Sequence, residues 1–286
     1  MDSDEDALLD NLIAEALHPI EPPEALQGRL RTRLLEKSSR SAAQNAGVRT
    51  IRSTEGVWRD LAKGIRVKTL LSDGNRGNSV LLQLAPGASL PQHRHSWLEE
   101  GIVLSGDFDF KNLTLETGDY LLSPAGSRHS TMMSRNGAIG YVRGTAVGHT
   151  PALLRELIGA WIPLPDSGGQ RLLRADGGHW ERVEAGVEKK TLASDAIATS
   201  QYLRIERGGA IALGSRAPGD EFIVISGEAF VNDILLRHTE YQSVENESPA
   251  CDISSDVGAL LFLRTIHAAL RSHSALKSSH DPSRGA

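Results

Sequence analysis

The stretch Gly87–His129, GASLPQHRHSWLEEGIVLSGDFDFKNLTLETGDYLLSPAGSRH, decides the organisation of this chain. It concentrates three imidazoles and a carboxylate at distinct spacings, at positions His93, His95, Glu99 and His129. Imidazole and carboxylate groups are the usual protein ligands for Zn, Fe, Mn, Ni or Cu. The stretch is therefore a candidate transition-metal site.

The spacing of these residues predicts how the chain runs between them. His93 and His95 are two residues apart, so in a strand both imidazoles lie on the same face. Four residues of extended chain span about 13 Å, which is too far for His95 and Glu99 to meet at one ion on a straight strand. We therefore expect the chain to bend at Ser96–Trp97, and His129 to arrive from a separate strand.

The stretch resembles the cupin family. The first cupin motif, G-x5-H-x-H-x3,4-E-x6-G, is filled at every position, by Gly87, His93, His95, Glu99 and Gly106. The second motif, G-x5-P-x-G-x2-H-x3-N, is filled by Gly118, Pro124, Gly126 and His129, whereas Met133 stands where the motif has Asn. The neighbouring Glu100 is a weaker ligand candidate, because only Glu99 leaves six residues before Gly106.

The resemblance implies a small β-barrel that holds one divalent transition metal. Its ligands would be His93, His95, Glu99 and His129. Zn and Fe(II) are the metals expected first, with Mn and Ni as alternatives, because the ligand set itself does not choose among them. One or two coordination positions would remain for water, an oxygen species or a small molecule.

Composition excludes several classes of protein. The chain has 286 residues, 40% of them hydrophobic and 23% charged, which suits one or two globular domains. Its net charge of −5 and pI of about 6.1 do not suggest a nucleic-acid surface. The acidic start, MDSDEDALL, is unlike a signal peptide, and no apolar run approaches the length of a membrane span. We expect a cytoplasmic protein.

Cys251 is the single cysteine, which rules out an intrachain disulfide and is consistent with a reducing compartment. We favour an inert small residue at this position over a redox sensor.

The N-terminal segment has helical rather than strand periodicity. Residues 4–17 predict one amphipathic helix, and a second is expected to begin at Pro22–Pro23 with a leucine face formed by Leu26, Leu30, Leu34 and Leu35. The segment Ser38–Ala46, SSRSAAQNA, is predicted to be a polar linker. From Val48 onward, short apolar runs broken by turn residues predict strands.

The strand region contains an internal repeat. Trp58–Leu90 is echoed by a segment that begins at Trp180, a shift of 122 residues. With this shift Gly87 falls on Gly209; one residue is then lost, and later pairs such as Gly106 and Gly227 are 121 apart. A repeat of this length predicts two copies of one barrel.

The predicted fold is all-β: two tandem jelly-roll cupin barrels with a short N-terminal α-helical arm. We expect five segments: an arm and linker (1–47), a metal-binding barrel (48–150), a linker helix (151–167), a second barrel without metal (168–266) and a tail (267–286). The ligand positions of the first barrel become Gly214, Arg216, Asp220 and Ala250 in the second. One carboxylate cannot hold a transition metal.

The same comparison ranks the remaining pocket candidates. Trp97 lies between two ligands and has two equally favoured interpretations, the pocket mouth or the core. Tyr141 is matched by Phe262, so its ring is expected to be structural. Arg143 could bind a substrate anion, but it is repeated as Arg264, where no metal is expected, and a structural role is favoured.

Within the cupins the chain looks like the ChrR-like proteins, which include the cupin half of anti-sigma factors and relatives of dioxygenases that cleave acetylacetone or dihydroxyacetophenone. The segments HRHSWLEEGIVLSGDF and ALHPIEPPEALQGRLRTRLLE carry this resemblance. The zinc-binding His and Cys residues of the anti-sigma domain are not matched, because the first 47 residues offer only His18 and no Cys.

Two functions remain open. The first is a regulatory or sensor module, or a small-molecule-binding protein, related to anti-sigma factors. The alternative is a non-haem metal-dependent dioxygenase that cleaves a diketone or hydroxyaryl ketone. We expect a homodimer, doubt a sigma-factor contact, and expect neither nucleic-acid nor membrane binding.

Overall fold

The computed structural model describes residues 22–72, 77–111, 113–147 and 169–267. The chain divides into two compact units, residues 1–43 and residues 44–286, which are described separately. The predicted helices at 4–17 and 151–167, and most of the predicted tail, lie outside the described residues.

Within the described residues of the N-terminal unit, from residue 22 onward, the chain forms one long helix, α1 (Glu24–Gln44). It starts directly after Pro22–Pro23, as predicted, but the predicted linker is wrong, because the helix continues through Ser38 to Gln44. That segment contains no glycine or proline, and its Ala, Arg and Gln residues have good helix propensity. No residue of α1 is buried. Of the helices in the described ranges, none has the length and hydrophobicity needed to span a bilayer.

The second unit is built from short antiparallel strands, which confirms the all-β fold. Within the described residues they are β1 (Val48–Ile51), β2 (Trp58–Ala62), β3 (Ile65–Leu71), β4 (Asn78–Leu84), β5 (Ser89–Leu90), β6 (His93–Arg94), β7 (Glu99–Phe110), β8 (Leu113–Glu116), β9 (Tyr120–Ser123), β10 (Arg128–His129), β11 (Met132–Met133), β12 (Ala138–Thr145), β13 (Arg171–Leu173), β14 (Glu181–Glu184), β15 (Val187–Ser194), β16 (Ala198–Ile205), β17 (Ala210–Arg216), β18 (Glu221–Val231), β19 (Ile234–Arg237), β20 (Tyr241–Val244), β21 (Ser248–Ser254) and β22 (Ala259–Ile266).

The strands form two equivalent barrels that exchange one strand each. The first barrel follows the order β13-β9-β7-β12-β4-β3-β2, and the second follows β1-β20-β18-β22-β16-β15-β14. Thus β1, which precedes the first barrel in sequence, pairs with β20 of the second, with Ile51 opposite Tyr241. Reciprocally, β13 pairs with β9 of the first barrel, with Leu173 opposite Tyr120. Each barrel is therefore completed by a strand from the sequence of the other.

The buried apolar residues form three main clusters. One fills the first barrel, a second fills the second barrel, and the third lies between them and draws on both. The central strands are consequently buried on both faces: in β4, six of seven residues are buried. The sequences of such strands are continuous apolar runs, without alternation of apolar and polar residues. The third cluster includes Leu81, Tyr120, Tyr141, Tyr202, Tyr241 and Phe262.

Strand pairing corrects the register of the repeat. Ile65 pairs with Leu84 and Val187 pairs with Ile205, so the shift is 122 in β3 but already 121 in β4. The lost residue therefore lies in the turn between these two strands, and not after Gly87. Gly87 corresponds to Gly208 instead of Gly209, and both adopt left-handed φ values of 77° and 78°. Turn length is free to change without disturbing a ladder, whereas a slip within a strand would reverse its faces.

Two buried lysines hold the loops that follow the exchanged strands. The ammonium of Lys68 donates to three backbone carbonyls in segment 52–55, at 3.0 to 3.5 Å. The ammonium of Lys190 donates to three carbonyls in the equivalent segment 174–177, at 2.7 to 2.9 Å. Burial lowers the pKa of both lysines. The repeated pair Trp58 and Trp180 lies against these ammonium groups, which explains its retention in both copies.

A buried polar cluster joins the barrels. Glu221 of the second barrel accepts hydrogen bonds from Ser79 (2.6 Å), Tyr141 (2.8 Å) and Arg143 Nε (2.8 Å) of the first, and from Tyr241 (2.7 Å) of its own. Burial alone would raise the pKa of Glu221, but Arg143 and the hydroxyl donors lower it below its usual value. The carboxylate is therefore ionised and paired across the interface.

The equivalent residues make the reciprocal contact. Arg264 of the second barrel lies 3.6 Å from Glu100 of the first, and Tyr120 donates to Glu100 at 2.7 Å. Arg143 also lies 3.8 Å from Glu100. Each barrel thus presents a glutamate to the arginine of the other.

We predict that Arg143→Met lowers the free energy of unfolding by about 3–5 kcal/mol, because it leaves the buried Glu221 carboxylate without its closest cation. Urea denaturation measures the change. Arg49→Met is the matched control: Arg49 lies 3.8 Å from Glu245 with both side chains more than half exposed, so a change within about 1 kcal/mol is expected. Equal, small effects of the two substitutions would contradict a stabilising role for the cluster.

Candidate metal centre

A short strand pair brings two of the predicted ligands together. β6 pairs with β10, and His93 lies directly opposite His129. Residues opposite each other in an antiparallel pair share a face, so the two imidazoles are neighbours. Their ring centroids are 5.5 Å apart.

The predicted bend brings in the third and fourth ligands. Ser96 and Trp97 form a bend, which confirms the prediction, and Glu99 is the first residue of β7. The backbone of His95 is fixed before this bend, since its N–H donates to the carbonyl of Ser127 at 3.0 Å. The chain therefore folds back, and Glu99 Oε2 comes within 3.4 Å of His95 Nδ1.

All four predicted residues lie in one cluster. One ligand atom each from His93, His95 and Glu99 lies within 4.8 Å of the others, and no other His, Cys, Asp or Glu triplet among the described residues meets this distance. His129 lies beside the triplet: its Nε2 is 3.7 Å from Glu99 Oε1, and its ring centroid is 4.5 Å from that of His95. A His-His-Glu site with His129 adjacent is thus present in the first barrel.

The alternating faces of β7 separate Glu99 from Glu100. Glu99 turns into the first barrel with the histidines, whereas Glu100 meets Tyr120 and Arg264 at the interface between the barrels. Successive side chains of a strand point to opposite faces. The choice of Glu99 from motif spacing therefore agrees with the geometry.

Burial sets the protonation of the cluster. Burial lowers the pKa of His129 to about 3, helped by the charge of His95 and opposed by Glu99. Burial also lowers the pKa of His93. For Glu99, burial would raise the pKa, but His95, His129 and His93 lower it to about 2. Neutral imidazoles and an ionised carboxylate are the forms that ligate a metal.

Three neighbours that the sequence did not single out orient the ligands. His93 Nδ1 lies 3.1 Å from the carbonyl of Pro91, which can only accept, so Nδ1 carries the proton and Nε2 keeps its lone pair. Phe110 stacks on the ring of His129 at 5.1 Å, and Ser123 Oγ lies 3.0 Å from His129 Nε2. Only the position of Ser123, directly before the motif proline, could have drawn attention to any of them.

An apolar cavity of about 90 Å³ opens onto the cluster from inside the first barrel. His93, Glu99, Ser123 and His129 form its polar end. Its remaining wall is almost entirely aliphatic and aromatic, with Leu61, Val80, Leu82, Leu90, Ile102, Val103, Phe108, Phe110, Leu115, Leu121, Met132, Val142 and Val147 among the lining residues. The cavity can hold several waters or a small organic molecule.

The three weaker pocket candidates lie in different places. Tyr141 is among the lining residues, but its ring packs with Tyr241 and Phe262 between the barrels and its hydroxyl donates to Glu221 there. Trp97 lies half-buried in the bend between the ligands and is not among the described lining residues. Arg143 is not among them either, and its contacts are those of the inter-barrel cluster.

The corresponding region of the second barrel has other chemistry. The two carboxylate oxygens of Asp220 accept backbone N–H groups of Ala217 (2.8 Å) and Ile266 (2.6 Å). Arg216, at the position of His95, donates to Ser248 at 3.0 Å. Cys251 is buried, and burial raises its pKa to about 11, so the thiol stays protonated at neutral pH. That this barrel binds no metal remains a prediction.

Comparisons with known proteins agree with this geometry. Residues 47–147 match the family described as ChrR Cupin-like domain. A search of curated protein sequences found no match.

Solved structures of similar fold include a proposed dioxygenase from Nostoc punctiforme PCC 73102, with 14% identity, coverage of 77% of this chain and 82% of that chain, and a TM-score of 0.55. Salicylate 1,2-dioxygenase from Pseudoaminobacter salicylatoxidans has 14% identity, coverage of 91% and 94%, and a TM-score of 0.53. A single-residue mutant of oxalate decarboxylase from Bacillus subtilis has 16% identity, coverage of 76% of both chains and a TM-score of 0.51.

At these identities the similarity concerns the fold alone. The duplicated barrels, the filled motifs and the family match together confirm the resemblance drawn from the sequence: the fold is that of a bicupin, and residues 47–147 match the ChrR Cupin-like domain family.

Proposed function

We propose that this bicupin binds one divalent transition metal in its first barrel, through His93, His95, Glu99 and His129, and acts as a regulatory sensor or small-molecule-binding protein related to anti-sigma factors. The observation that carries the proposal is the convergence of these four side chains at the end of an apolar cavity.

The donor set fits such an ion. Three neutral imidazoles and one carboxylate leave a divalent metal with a net charge near +1 and with open coordination positions. Zn would supply Lewis acidity at this place, and Fe(II) would supply oxygen chemistry. The chain's own part is to keep the imidazoles of His93 and His129 neutral by burial, to fix the tautomer of His93 through Pro91, and to hold His129 against Phe110.

The cavity favours binding over turnover. Outside the cluster, its described lining residues include no further carboxylate, imidazole or amine that could act as a general acid or base. The hydroxyl of Tyr141 is engaged by the ionised Glu221, and burial raises the pKa of Tyr141 well above its usual value. The lining residues can enclose a ligand and exclude water, but they offer no obvious proton shuttle.

A dioxygenase that cleaves a diketone or hydroxyaryl ketone is the second candidate. The observation in its favour is the same cavity, since it would place an organic molecule directly beside the metal ligands. An oxygenase needs a redox-active ion, whereas a sensor can work with zinc. The two candidates therefore differ in their requirement for iron.

Partner contacts belong to this proposal. Helix α1 exposes a leucine face, with Leu34 66% and Leu35 60% exposed. An isolated helix of this kind gains stability when its apolar face is covered. We propose that the arm mediates a homodimer, with a sigma-like protein as the less favoured partner. A cytoplasmic location is also proposed.

The first prediction of this proposal concerns the metal site. Untagged protein purified without chelator should carry about one divalent transition ion per chain, and His95→Ala/His129→Ala should carry none while keeping its circular dichroism spectrum. Elemental analysis measures the ion. The control His179→Ala/His238→Ala removes two exposed histidines and should keep the metal. Full occupancy in the first double variant would show the ligand assignment to be wrong.

The metal requirement separates the two functions. With Fe(II) loaded and acetylacetone added, we expect oxygen uptake no greater than the His93→Ala background, measured with an oxygen electrode. Uptake well above that background at a turnover of about 1 s⁻¹ or more, lost on substitution with zinc, would favour the dioxygenase instead.

The arm makes the last prediction of this proposal. Deleting residues 1–45 should convert a dimer to a monomer in sedimentation velocity, because the leucine face is removed. An unchanged oligomer would show that the arm is not the dimer contact.

A further inference from the structure

The two barrels are copies, so each position that lines the cavity of the first has a counterpart in the second. The corrected shift of 121 residues over β4 to β12 gives these counterparts directly. Most are apolar in both copies, such as Leu82 and Leu203 or Leu115 and Leu236. At two cavity-lining positions a glycine of the first barrel stands where the second has a large apolar residue: Gly101 corresponds to Phe222, and Gly140 corresponds to Leu261.

The space above Gly140 is already filled. A Cβ placed on Gly140 would lie 2.9 Å from the ring of Phe108. The counterpart of Phe108 is Ala229. The first barrel therefore combines a glycine with a phenylalanine, where the second combines a leucine with an alanine. Such an exchange conserves volume, and Gly140 therefore opens no cavity of its own.

The space above Gly101 is not filled. A Cβ placed there would meet only the backbone oxygen of Leu121, at 3.9 Å, which is ordinary van der Waals contact. In the second barrel the ring of Phe222 is 1% exposed and belongs to the buried cluster that fills the interior. Glycine in place of this phenylalanine leaves the volume beside the Gly101 backbone open in the first barrel.

This space lies next to the polar end of the cavity. Gly101 is two residues after Glu99 on β7, so both positions face the barrel interior. Its cross-strand neighbours are Val142 on β12 and Leu121 on β9, and both line the cavity.

The wall indicates which ligand fits. The described lining residues include no lysine or arginine. The hydroxyl of Tyr141 donates to Glu221, and that of Thr145 accepts from the N–H of Val147 at 3.3 Å. Outside the cluster end, the hydroxyl proton of Thr145 is thus the one side-chain donor left among the described lining residues, and none of those residues carries a charge. A second charge on the ligand would be buried without a partner, which is costly.

We propose that Gly101 is the specificity-determining residue of this site. Its missing side chain creates the space that receives the apolar body of a small, uncharged or singly charged organic ligand, whose oxygen-bearing end faces the His and Glu residues. The assignment of that end rests on the proposed function; the space at Gly101 does not.

Xenon binding tests the space without any metal. In ¹²⁹Xe NMR of the metal-free protein, the wild type should show a saturable shift that Gly101→Ala reduces and Gly101→Val abolishes. Gly214→Val is the matched control, because Gly214 is an exposed strand glycine of the second barrel with open space around it. Gly101→Val should unfold at the same temperature or higher, since it fills a void. Xenon binding unchanged in Gly101→Val would overturn the proposal.

Calorimetry with the zinc-loaded protein tests the ligand class. Acetylacetone should bind the wild type and Gly214→Val equally, and at least tenfold more weakly to Gly101→Val at unchanged zinc content. Oxalate, a dianion, should bind the wild type more weakly than acetylacetone. Equal affinity of Gly101→Val and wild type for acetylacetone, or tighter binding of oxalate, would contradict the assignment. If zinc does not bind, the proposed function fails, and the xenon result alone decides the role of Gly101.

Discussion

The buried exchange of charges between the barrels is the constraint on which the rest of the structure depends. Arg143 pairs with Glu221 and Arg264 lies near Glu100, and all four groups are shielded from water. A buried charge left without its partner costs several kcal/mol, so while the barrels are in contact each of these arginines and glutamates requires its counterpart from the other barrel. The exchanged strands β1 and β13 also hold the two barrels together, because each pairs with a strand of the other barrel. The second barrel is therefore part of the scaffold of the first.

Strand β7 connects these inter-barrel contacts to the candidate metal centre. Three consecutive residues of that strand have three roles: Glu99 joins the histidines, Glu100 faces the other barrel, and Gly101 leaves space in the cavity. The strict alternation of a strand makes this arrangement possible. A shift of β7 by one residue would move Glu99 out of the cluster and Glu100 into it. The inter-barrel contacts of Glu100 thus help to hold Glu99 in place.

The second barrel has the same fold but different residues at the positions of the candidate site. Arg216 replaces a histidine, Asp220 binds backbone N–H groups, and Phe222 fills the interior. The positive charge of Arg216 lies at the position that His95, a candidate metal ligand, has in the first barrel. Cys251 is protonated and buried, so it adds no reactive thiolate. What this barrel retains is the framework of strands, turn glycines and buried lysine.

The sequence by itself determined the all-β fold, the duplication and the residues that converge at the site, because these follow from local patterns: short apolar runs broken by turn residues, a repeated Trp and Gly pattern, and the intervals between the candidate ligands. Two predictions from the sequence were wrong. The predicted linker is helical up to Gln44, because no glycine or proline ends the helix earlier. The residue lost from the repeat was placed too late, because the adjacent Gly208 and Gly209 fit either register. Only the tertiary structure decided the strand exchange, the pairing of Arg143 with a glutamate 78 residues away, and the empty space at Gly101. These depend on which surfaces meet and on which volumes are left unfilled, and no periodicity along the chain encodes either.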